Sequence, residues 1–538
     1  MDPRPTRPTR LLDSATAVGV IGAVLFFVVA ATWSFSSPLM SAPDEPAQTI
    51  KAVSVAQGFL RGKDHETTIA GPPWVSSIDS EFTVPAAYAA IGDLNACFVN
   101  QPRVSAACAP DPTSTGGEAK ATTYVGTYPP IYYALIGWPS RVFDPDPGLW
   151  LMRLSSAAVS AALVGLALVG ARRTDGGGIV VVGLLVALTP MAVYLTSVIN
   201  PSGMEVTAAL AVWTCALALV RPGDGRTTGA DVARLAVALC AMVGVRTLSP
   251  VLAIGIVACV LAMAARRADL DRIRRAPGVR AAAAVVTLVT AAAVAYLAWS
   301  KAYASAAGLP NPGITLREAL QGSLSKVVWR VRQMIGYFGY LEAPPPRALL
   351  AIWGVIGGGL AVVGLVAGTW RRRVVLVALV AATVVFTVVP EALNVHKVGY
   401  IWQGRYSLPV AVGIPVLAAW MLGRARWWRS RLVTPVAVSV AVLWVAGQLL
   451  GQAATLRRFI TGTTGGLFDF VGHDGWRPPL PPWALLGLLL IGAGLFAGWV
   501  ALTAVRAERF GGADTEGGQP PTTSATSASS LTANASSP

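Results

Sequence analysis

The sequence carries little charge for its length. Only 13% of its 538 residues are Asp, Glu, Lys or Arg, against roughly a quarter in soluble globular domains. Hydrophobic residues make up 54%, and the mean hydropathy is +0.58. This composition excludes a soluble enzyme, a disordered scaffold and a nucleic-acid-binding protein, despite a formal net charge of +15. Apolar runs of about 20 residues recur instead, each long enough to cross a hydrocarbon core of about 30 Å.

Histidine and cysteine are scarce as well. The three histidines are scattered along the chain, which disfavours a zinc site. Two of the five cysteines, Cys97 and Cys108, lie close together in the one long polar loop, where a disulfide would contribute up to about 3 kcal/mol. Because a disulfide needs an oxidising compartment, this pair places the loop outside the cytoplasm.

The apolar runs predict an all-α polytopic membrane protein with about twelve transmembrane helices and both termini on one side. The predicted spans are Thr16–Ser36, Leu149–Gly170, Ile179–Ile199, Gly203–Val220, Val232–Val245, Ser249–Ala265, Val279–Trp299, Ala348–Thr369, Val374–Pro390, Tyr406–Leu422, Leu432–Leu450 and Trp483–Ala504. The proline-broken segment Tyr128–Phe143 is expected to be re-entrant or interfacial rather than a further span.

Arginine is distributed unevenly between the two sets of connecting segments. One set, together with both tails, holds most of the arginine and no lysine. Its basic segments are Arg172–Arg173, Arg221–Arg226, Arg266–Arg275, Arg371–Arg373 and Arg424–Arg431. Because cytoplasmic loops carry an excess of basic residues, this set predicts a multi-pass plasma-membrane protein with cytoplasmic N- and C-termini. The long polar loop then lies outside, as the cysteine pair independently indicates.

The predicted organisation is a membrane domain with three large extracytoplasmic loops and two cytoplasmic tails. The boundaries are 1–15 for the N-terminal tail, 16–510 for the membrane domain, 37–127, 301–347 and 451–482 for the loops, and 511–538 for the C-terminal tail. The C-terminal tail is rich in Gly, Ser, Thr and Pro and is expected to be disordered. In the second loop, Thr315 and Glu318 form a capping-box pattern before an apolar stripe, which predicts an interfacial helix.

Two adjacent carboxylates, Asp44 and Glu45, follow the first span within the segment Ser41–Pro46. They have a purely structural interpretation, because acidic residues stabilise a helix start, where Pro46 also fits the first position. From the pattern alone this capping role is favoured. Because the two carboxylates stand together at the outer membrane surface, they are also the strongest candidates for catalysis.

Three arginines are expected at similar depth near the outer ends of spans: Arg153, Arg246 and Arg405. Each fits an interfacial anchor, but arginine also binds phosphate through two parallel hydrogen bonds. Glu205 is predicted near the same depth. With Ser202 it fits a capping box, although ionisable groups inside a membrane are often functional. Together these residues favour a site for a lipid-linked phosphate.

Five motifs occur in an order that resembles a known family. They are Pro43-Asp44-Glu45-Pro46-Ala47, Tyr128-Pro129-Pro130-Ile131-Tyr132-Tyr133, Asn200-Pro201, Gly336-Tyr337-Phe338-Gly339 and Gln403-Gly404-Arg405-Tyr406-Ser407-Leu408-Pro409. From about Thr16 to about Trp499 the chain resembles domain of unknown function family twenty-one forty-two, a family of predicted membrane proteins. More distantly it resembles the GT-C glycosyltransferases.

The resemblance implies a GT-C-like enzyme that takes a sugar from a polyprenyl-phosphate carrier on the outer membrane face. In such enzymes an acidic residue of the first outer loop is catalytic, and here that position matches Asp44, with Glu45 beside it. Tyr128 and Tyr132 of the Tyr-Pro-Pro segment would line the same cavity. The composition, rich in Ala, Val and Arg and poor in Lys, resembles actinobacterial proteins, in which such carriers are decaprenyl phosphates.

One position departs from the family pattern. The family often has an aspartate directly after Asn-Pro, where this chain has Ser202. Glu205 is the candidate substitute for that carboxylate.

The sequence therefore predicts a glycosyltransferase that moves a sugar from a polyprenyl-phosphate donor to a cell-envelope glycan or lipid acceptor. Asp44 would accept the proton of the acceptor hydroxyl. Arg405, beside Tyr406 and with Arg246 or Arg153, would hold the phosphate leaving group. A divalent cation bridging a first-loop carboxylate to the phosphate is left open, although no metal-specific spacing supports it. The expected partners are the carrier-linked sugar, the acceptor and membrane lipids, and no nucleic acid.

Two alternatives stay open. A transporter or flippase of lipid-linked saccharide would carry charges deep within its spans, whereas here they cluster at one face and no internal repeat is found. A non-catalytic GT-C-like assembly partner is the other alternative, because the aspartate after Asn-Pro is missing.

Overall fold

The computed structural model describes residues 14–69, 75–113, 115–221, 228–300 and 311–516. Within these ranges the chain is a bundle of helices with one small sheet, which confirms the predicted all-α polytopic class. The predicted N-terminal tail up to residue 13 and residues 517–538 lie outside the described residues. The last helix continues to Glu516, past the predicted boundary at residue 510, because extending a formed helix costs little.

The helices and strands are named in chain order. The helices are α1 Ala15–Ser34, α2 Glu45–Ala56, α3 Ala86–Ala89, α4 Ile131–Ile136, α5 Pro145–Arg172, α6 Gly178–Ala187, α7 Pro190–Thr196, α8 Pro201–Leu219, α9 Gly229–Val243, α10 Ser249–Ala264, α11 Arg267–Arg274, α12 Val279–Trp299, α13 Leu316–Ser325, α14 Val327–Gly336, α15 Arg347–Trp353, α16 Gly359–Ala367, α17 Trp370–Val398, α18 Leu408–Ala411, α19 Gly413–Gly423, α20 Val433–Ile460 and α21 Pro482–Glu516. The strands are β1 Lys63–Ile69, β2 Val75–Pro85 and β3 Glu118–Thr123.

Eight described helical segments are long and apolar enough to cross a membrane, with α15 and α16 counted together as the one segment Arg347–Ala367. The pair α6 and α7, bent by 71°, makes a ninth if it forms one span. Two more predicted spans form shorter apolar helices, at Ser249–Ala264 and Leu408–Gly423, and a third falls on the 15-residue α9. Every predicted span is thus helical, while the count of about twelve crossings stays a prediction.

Helix α8 lies at the centre of the bundle. It is buried along its whole length and packs against α5, α9 and α10. Helix α12, which is equally apolar, is instead exposed along nearly its whole length. A helix that is apolar on every side needs either protein or lipid around it, so α12 presents its surface to the bilayer.

An outer layer covers the start of the bundle. The three strands form an antiparallel sheet in the order β1-β2-β3, with Lys63 opposite Glu81 and Ser80 opposite Thr123. Helix α2 packs against β2 and β3. Alternate residues of β2 such as Phe82 are buried, because successive side chains of a strand point to opposite faces.

The disulfide predicted from spacing is present in this outer layer. Cys97 and Cys108 are bonded, with their Cα atoms 6.1 Å apart. Arg458 of α20 donates to the Phe98 carbonyl oxygen at 2.8 Å inside this loop and pairs with Glu342. The first loop is therefore tied to two distant parts of the chain.

Two segments that the sequence predicts to lie at the membrane interface have the local structure expected of them, while their position at the interface stays a prediction. The segment Tyr128–Phe143 contains only the short α4 and one further helical turn, so it does not span. Its Gly137 lies against α2, where a Cβ atom would collide with the Ala52 carbonyl oxygen. Thr315 and Glu318 form the predicted capping box at the start of α13.

Candidate functional site

Asp44 directly precedes α2 and has a left-handed backbone, with a φ of +63°. This conformation costs a non-glycine residue about 1–3 kcal/mol and is concentrated at functional sites. The Asp44 side chain makes no capping hydrogen bond to the helix. Its carboxylate is therefore not used for the capping role that the pattern alone favours.

The Asp44 carboxylate is held from two sides. The Tyr124 hydroxyl donates to Oδ1 at 2.6 Å, and the Arg405 guanidinium pairs with Oδ2. The Arg405 side chain is 1% exposed and that of Asp44 is 24% exposed, so the guanidinium lies behind a carboxylate that is partly open to solvent. Burial and the neighbouring Asp44 charge raise the pKa of Tyr124 well above its ordinary value, which keeps this hydroxyl protonated as a donor.

The exposed part of Asp44 opens into a cavity of about 410 Å³, which we call the aspartate cavity. Its other polar lining residues are Asp79, Lys120, Thr122, Thr123, Tyr124 and Tyr340. Carboxylates, an ammonium group and phenolic hydroxyls supply both donors and acceptors. This combination suits a ligand with several hydroxyl groups, such as a saccharide.

Glu45, in contrast, is completely buried in an ion pair with Arg153. The Nε and Nη2 atoms of Arg153 donate to Oε1 and Oε2, both at 2.7 Å. The Ile199 and Ala42 amides donate to the same two oxygens at 3.1 and 3.2 Å. The remaining Arg153 donors bind the carbonyl oxygens of Ser34, Ser37 and Pro38. The Glu45 carboxylate and the Arg153 guanidinium therefore spend their hydrogen bonds on holding the chain between α1 and α2.

The Asn-Pro motif contacts the same stretch of chain. Asn200 Nδ2 donates to the Pro43 carbonyl oxygen at 2.9 Å, while its Oδ1 caps α8 by accepting from the Ser202 amide at 3.0 Å. Arg405 Nη1 donates to the same Pro43 oxygen at 3.1 Å. Two motifs that are distant in sequence therefore converge on the residue next to Asp44.

The turn that carries Arg405 is fixed by a buried ion pair that the sequence analysis missed. Arg330 of α14 pairs with Glu391 of α17, and Glu391 Oε1 accepts from the Trp402 amide at 2.8 Å. The available signal was a carboxylate directly after Pro390, at the end of an apolar run, where an ionisable group needs a partner.

Tyr406 connects Arg405 to Arg246. Its hydroxyl accepts from Arg405 Nη2 at 3.1 Å, and the Arg246 guanidinium lies 4.8 Å from its ring centroid. Arg246 also donates to Ser202 Oγ at 3.0 Å and lies 3.7 Å from the Glu205 carboxylate. The serine that departs from the family pattern thus anchors an arginine.

Arg246 lines a second cavity, of about 230 Å³, which we call the arginine cavity. Its other polar and aromatic lining residues are Tyr128, Glu205, Thr247, Phe386, Trp402 and Tyr406. A guanidinium among aromatic rings in a small cavity is a suitable binding point for one phosphate group.

An apolar groove of about 680 Å³ adjoins the arginine cavity. It lies between α10 and α17 and is lined almost wholly by aliphatic side chains, among them Val251, Ile256 and Val385. Leu252 and Phe386 line both the groove and the arginine cavity. The guanidinium therefore lies at one end of a continuous apolar surface between two membrane helices.

Lys51 of α2 is a second group that the sequence analysis missed. It is completely buried, and its ammonium donates to the Leu60 and Gly126 carbonyl oxygens, both at 2.6 Å, and to the Tyr296 hydroxyl at 3.3 Å. These bonds hold the chain just after Tyr124. Burial lowers the pKa of Lys51 to about 7.

We expect Lys51 to make stability depend on pH. The folded state releases the Lys51 proton near pH 7, whereas the unfolded chain keeps it up to the ordinary lysine pKa of 10.5. The free energy of unfolding should therefore rise with pH between these values. One proton corresponds to about 1.4 kcal/mol per pH unit. Thermal unfolding of the solubilised protein and of Lys51→Met, followed across this range, measures the effect. Parallel pH profiles for the two proteins would contradict it.

The residues singled out from the sequence separate into three groups. Asp44 and Arg405 are in contact, although Arg405 does not line the aspartate cavity. Arg246, Glu205, Tyr128 and Tyr406 meet at the arginine cavity. The third group faces neither cavity and consists of Glu45, Arg153 and Tyr132, the last of which is buried and bonded to Ser156 at 3.0 Å.

A metal site is not assembled from protein ligands alone in the part of the chain that the structure describes. No three His, Cys, Asp or Glu side chains come together there as metal ligands. A cation that bridges Asp44 to a phosphate stays a prediction, whereas both Glu45 oxygens already have partners.

Known proteins were compared with the chain at the levels of structure and sequence. The crystal structure of ArnT from Cupriavidus metallidurans bound to undecaprenyl phosphate is similar with a TM-score of 0.41 and 15% identity, over 94% of this chain and 79% of that one. The apo structure of the same protein gives 0.42 and 14%, over 91% and 78%. No curated protein matches the sequence. The family model described as predicted membrane protein (DUF2142) matches residues 26–414, most of the chain, and the protein belongs to that family.

Proposed function

We propose that this protein is an integral-membrane glycosyltransferase of the GT-C type. It moves a sugar from a polyprenyl-phosphate donor to a cell-envelope glycan or lipid acceptor on the extracytoplasmic face. The observation that carries the proposal is the connection from the apolar groove through Arg246 and Tyr406 to Arg405 and Asp44. One side of this series suits a lipid phosphate, and the other presents a carboxylate to a polar cavity.

The donor would bind from the membrane. Its prenyl chain lies in the apolar groove, whose aliphatic wall is as apolar as the lipid that the chain leaves, so packing rather than transfer from water holds it there. Its phosphate meets Arg246 in the arginine cavity, within reach of the tyrosine and tryptophan side chains there. Arg405 acts from behind, because it is buried and already donates to Asp44 and to the Tyr406 hydroxyl.

The acceptor would bind in the aspartate cavity with one hydroxyl against Asp44. That oxygen attacks the anomeric carbon of the donor sugar, the bond from this carbon to the phosphate oxygen breaks, and Asp44 takes the hydroxyl proton. Negative charge grows on the leaving phosphate, where Arg246 stabilises it. Tyr124 and Arg405 keep the carboxylate oriented through both of its oxygens.

The donor half of the proposal is tested by removing the Arg246 charge. A hydrogen bond to a charged group contributes about 1.5–3 kcal/mol, so Arg246→Gln should bind decaprenyl phosphate about 10- to 100-fold more weakly. Binding is measured by native mass spectrometry of the detergent-solubilised protein. Arg246→Lys keeps the positive charge beside Glu205 but cannot form two parallel hydrogen bonds to a phosphate. Its affinity for decaprenyl phosphate should therefore lie between those of the wild type and Arg246→Gln.

The matched control for this measurement is Arg274→Gln, which removes an exposed arginine at α11. It should bind decaprenyl phosphate as the wild type does. Equal affinity of Arg246→Gln and the wild type would exclude Arg246 as the phosphate ligand.

A further inference from the structure

Another large cavity, which shares no lining residue with the apolar groove, lies beside the disulfide loop. It measures about 600 Å³ and is bounded by residues after the first span, by the disulfide loop, by the start of α5 and by the chain before α21. Because two of its walls are Trp150 and Trp476, we call it the tryptophan cleft.

The polar groups of the tryptophan cleft are two carboxylates and one guanidinium. Asp111 and Asp146 are exposed at its wall, and among the described residues neither has a salt-bridge partner within 4.0 Å. Arg477 is also exposed, and its contact with Asp474 is at 3.4 Å between two exposed side chains. Such exposed pairs contribute little, so these groups are available to a ligand.

The aromatic walls are held in place by packing. The Trp476 ring packs edge-on against Phe459 with centroids 6.3 Å apart, and the Trp150 ring lies 5.4 Å from that of Phe35. Both indoles remain partly exposed to the cleft. An indole combines an apolar face with a polar N–H group, which suits a ligand that has both kinds of surface.

The backbone of the cleft is rigid. The Trp476 amide donates to Ser105 Oγ at 3.2 Å, which joins two walls, and the disulfide of Cys108 anchors the wall that Asp111 belongs to. Pro110 and Pro112 flank Asp111 and limit its backbone freedom. A preformed site loses little entropy when a ligand binds.

From this geometry we infer that the tryptophan cleft binds a carbohydrate chain. Sugar rings have apolar C–H faces that pack on indoles and hydroxyl groups that donate to carboxylates, and the cleft offers both kinds of partner. The short 3-10 helix Ala90–Asn95 lies between this cleft and the aspartate cavity, since Leu94 lines the cleft and Gly92 lines the aspartate cavity. If the protein is the glycosyltransferase proposed above, its acceptor is a glycan long enough to occupy both the tryptophan cleft and the aspartate cavity.

The test uses the full detergent-solubilised chain and four neutral hexasaccharides, of glucose, mannose, galactose and arabinose, in titration calorimetry. At least one should bind the wild type. Trp476→Ala should weaken that binding at least about tenfold, as loss of a central aromatic anchor does, and Asp111→Ala should weaken it by a smaller factor. Because Asp111 is exposed, Asp111→Ala should fold normally. It therefore still tests the inference if Trp476→Ala fails to fold.

Matched controls are Trp483→Ala, an exposed tryptophan in the first turn of α21, and Asp271→Ala, an exposed carboxylate of α11 that lines neither cavity. Both should bind the hexasaccharide as the wild type does. The inference fails if no hexasaccharide binds, or if the Trp476 and Asp111 variants bind as the controls do.

The assay needs no donor and no transfer, which separates the two claims. A protein that binds the hexasaccharide but transfers no sugar would contradict the proposed function and leave the cleft intact.

Discussion

An Asp44→Asn variant is expected to fold and to bind decaprenyl phosphate, yet to transfer little sugar. The amide keeps the shape of the carboxylate and an oxygen that accepts from Tyr124 or Arg405, but it loses the charge and the basicity. Loss of proton acceptance by a general base typically lowers the rate about 10²- to 10⁴-fold. The assay follows a radiolabelled sugar from a polyprenyl-phosphate donor into a cell-envelope glycan fraction, with the protein in lipid nanodiscs.

Two controls distinguish catalysis from folding in this experiment. Asp271→Asn changes an exposed carboxylate of α11, which lines neither the aspartate cavity nor the tryptophan cleft, and should transfer at the wild-type rate. Decaprenyl phosphate binding through Arg246 reports whether the Asp44 variant is intact. Wild-type transfer by Asp44→Asn would exclude Asp44 as the base and direct attention to Asp79, the other carboxylate of that cavity.

The second large effect is expected on stability rather than on turnover. Replacing Arg153 by Met leaves the Glu45 carboxylate charged and completely buried, with three carbonyl oxygens deprived of their donors. Breaking a buried ion pair in this way costs about 3–5 kcal/mol. We expect a large drop in the thermal unfolding midpoint of the solubilised protein and a poor yield of folded protein.

The double variant Arg153→Met with Glu45→Gln makes this prediction specific. Removing both charges leaves no unpaired buried ion, so the double variant should be more stable than Arg153→Met alone. If Arg153→Met is as stable as the wild type, the ion pair between Arg153 and Glu45 does not stabilise the fold. Arg153 would then again be a candidate for binding the phosphate, as the sequence suggested.

The contrast between Asp44 and Glu45 shows where sequence reasoning stops. The two residues are neighbours, and pattern alone treats them as one acidic pair at a helix start. In the folded chain Glu45 binds Arg153, 108 positions away, and Asp44 meets Arg405, 361 positions away. Which carboxylate faces a cavity depends on these partners and on the left-handed backbone at Asp44.

The arginines follow the same rule. Arg153, Arg246 and Arg405 are alike in the sequence, each at the outer end of an apolar run. Packing gives Arg153 a full set of buried acceptors, places Arg405 behind Asp44, and leaves Arg246 with a side chain 16% exposed at a cavity. For this reason we propose Arg246, rather than Arg153 or Arg405, as the ligand of the phosphate.

The sequence alone was sufficient for the membrane class, the positions of the apolar helices, the capping box at Thr315 and the pairing of Cys97 with Cys108. These features depend on hydropathy and on short spacings, which are read along the chain. The tertiary structure decided the partners of the charged residues, the groove beside Arg246 and the tryptophan cleft. Each of these is formed by segments far apart in sequence, and a buried charge takes its role from whichever partner the fold brings to it.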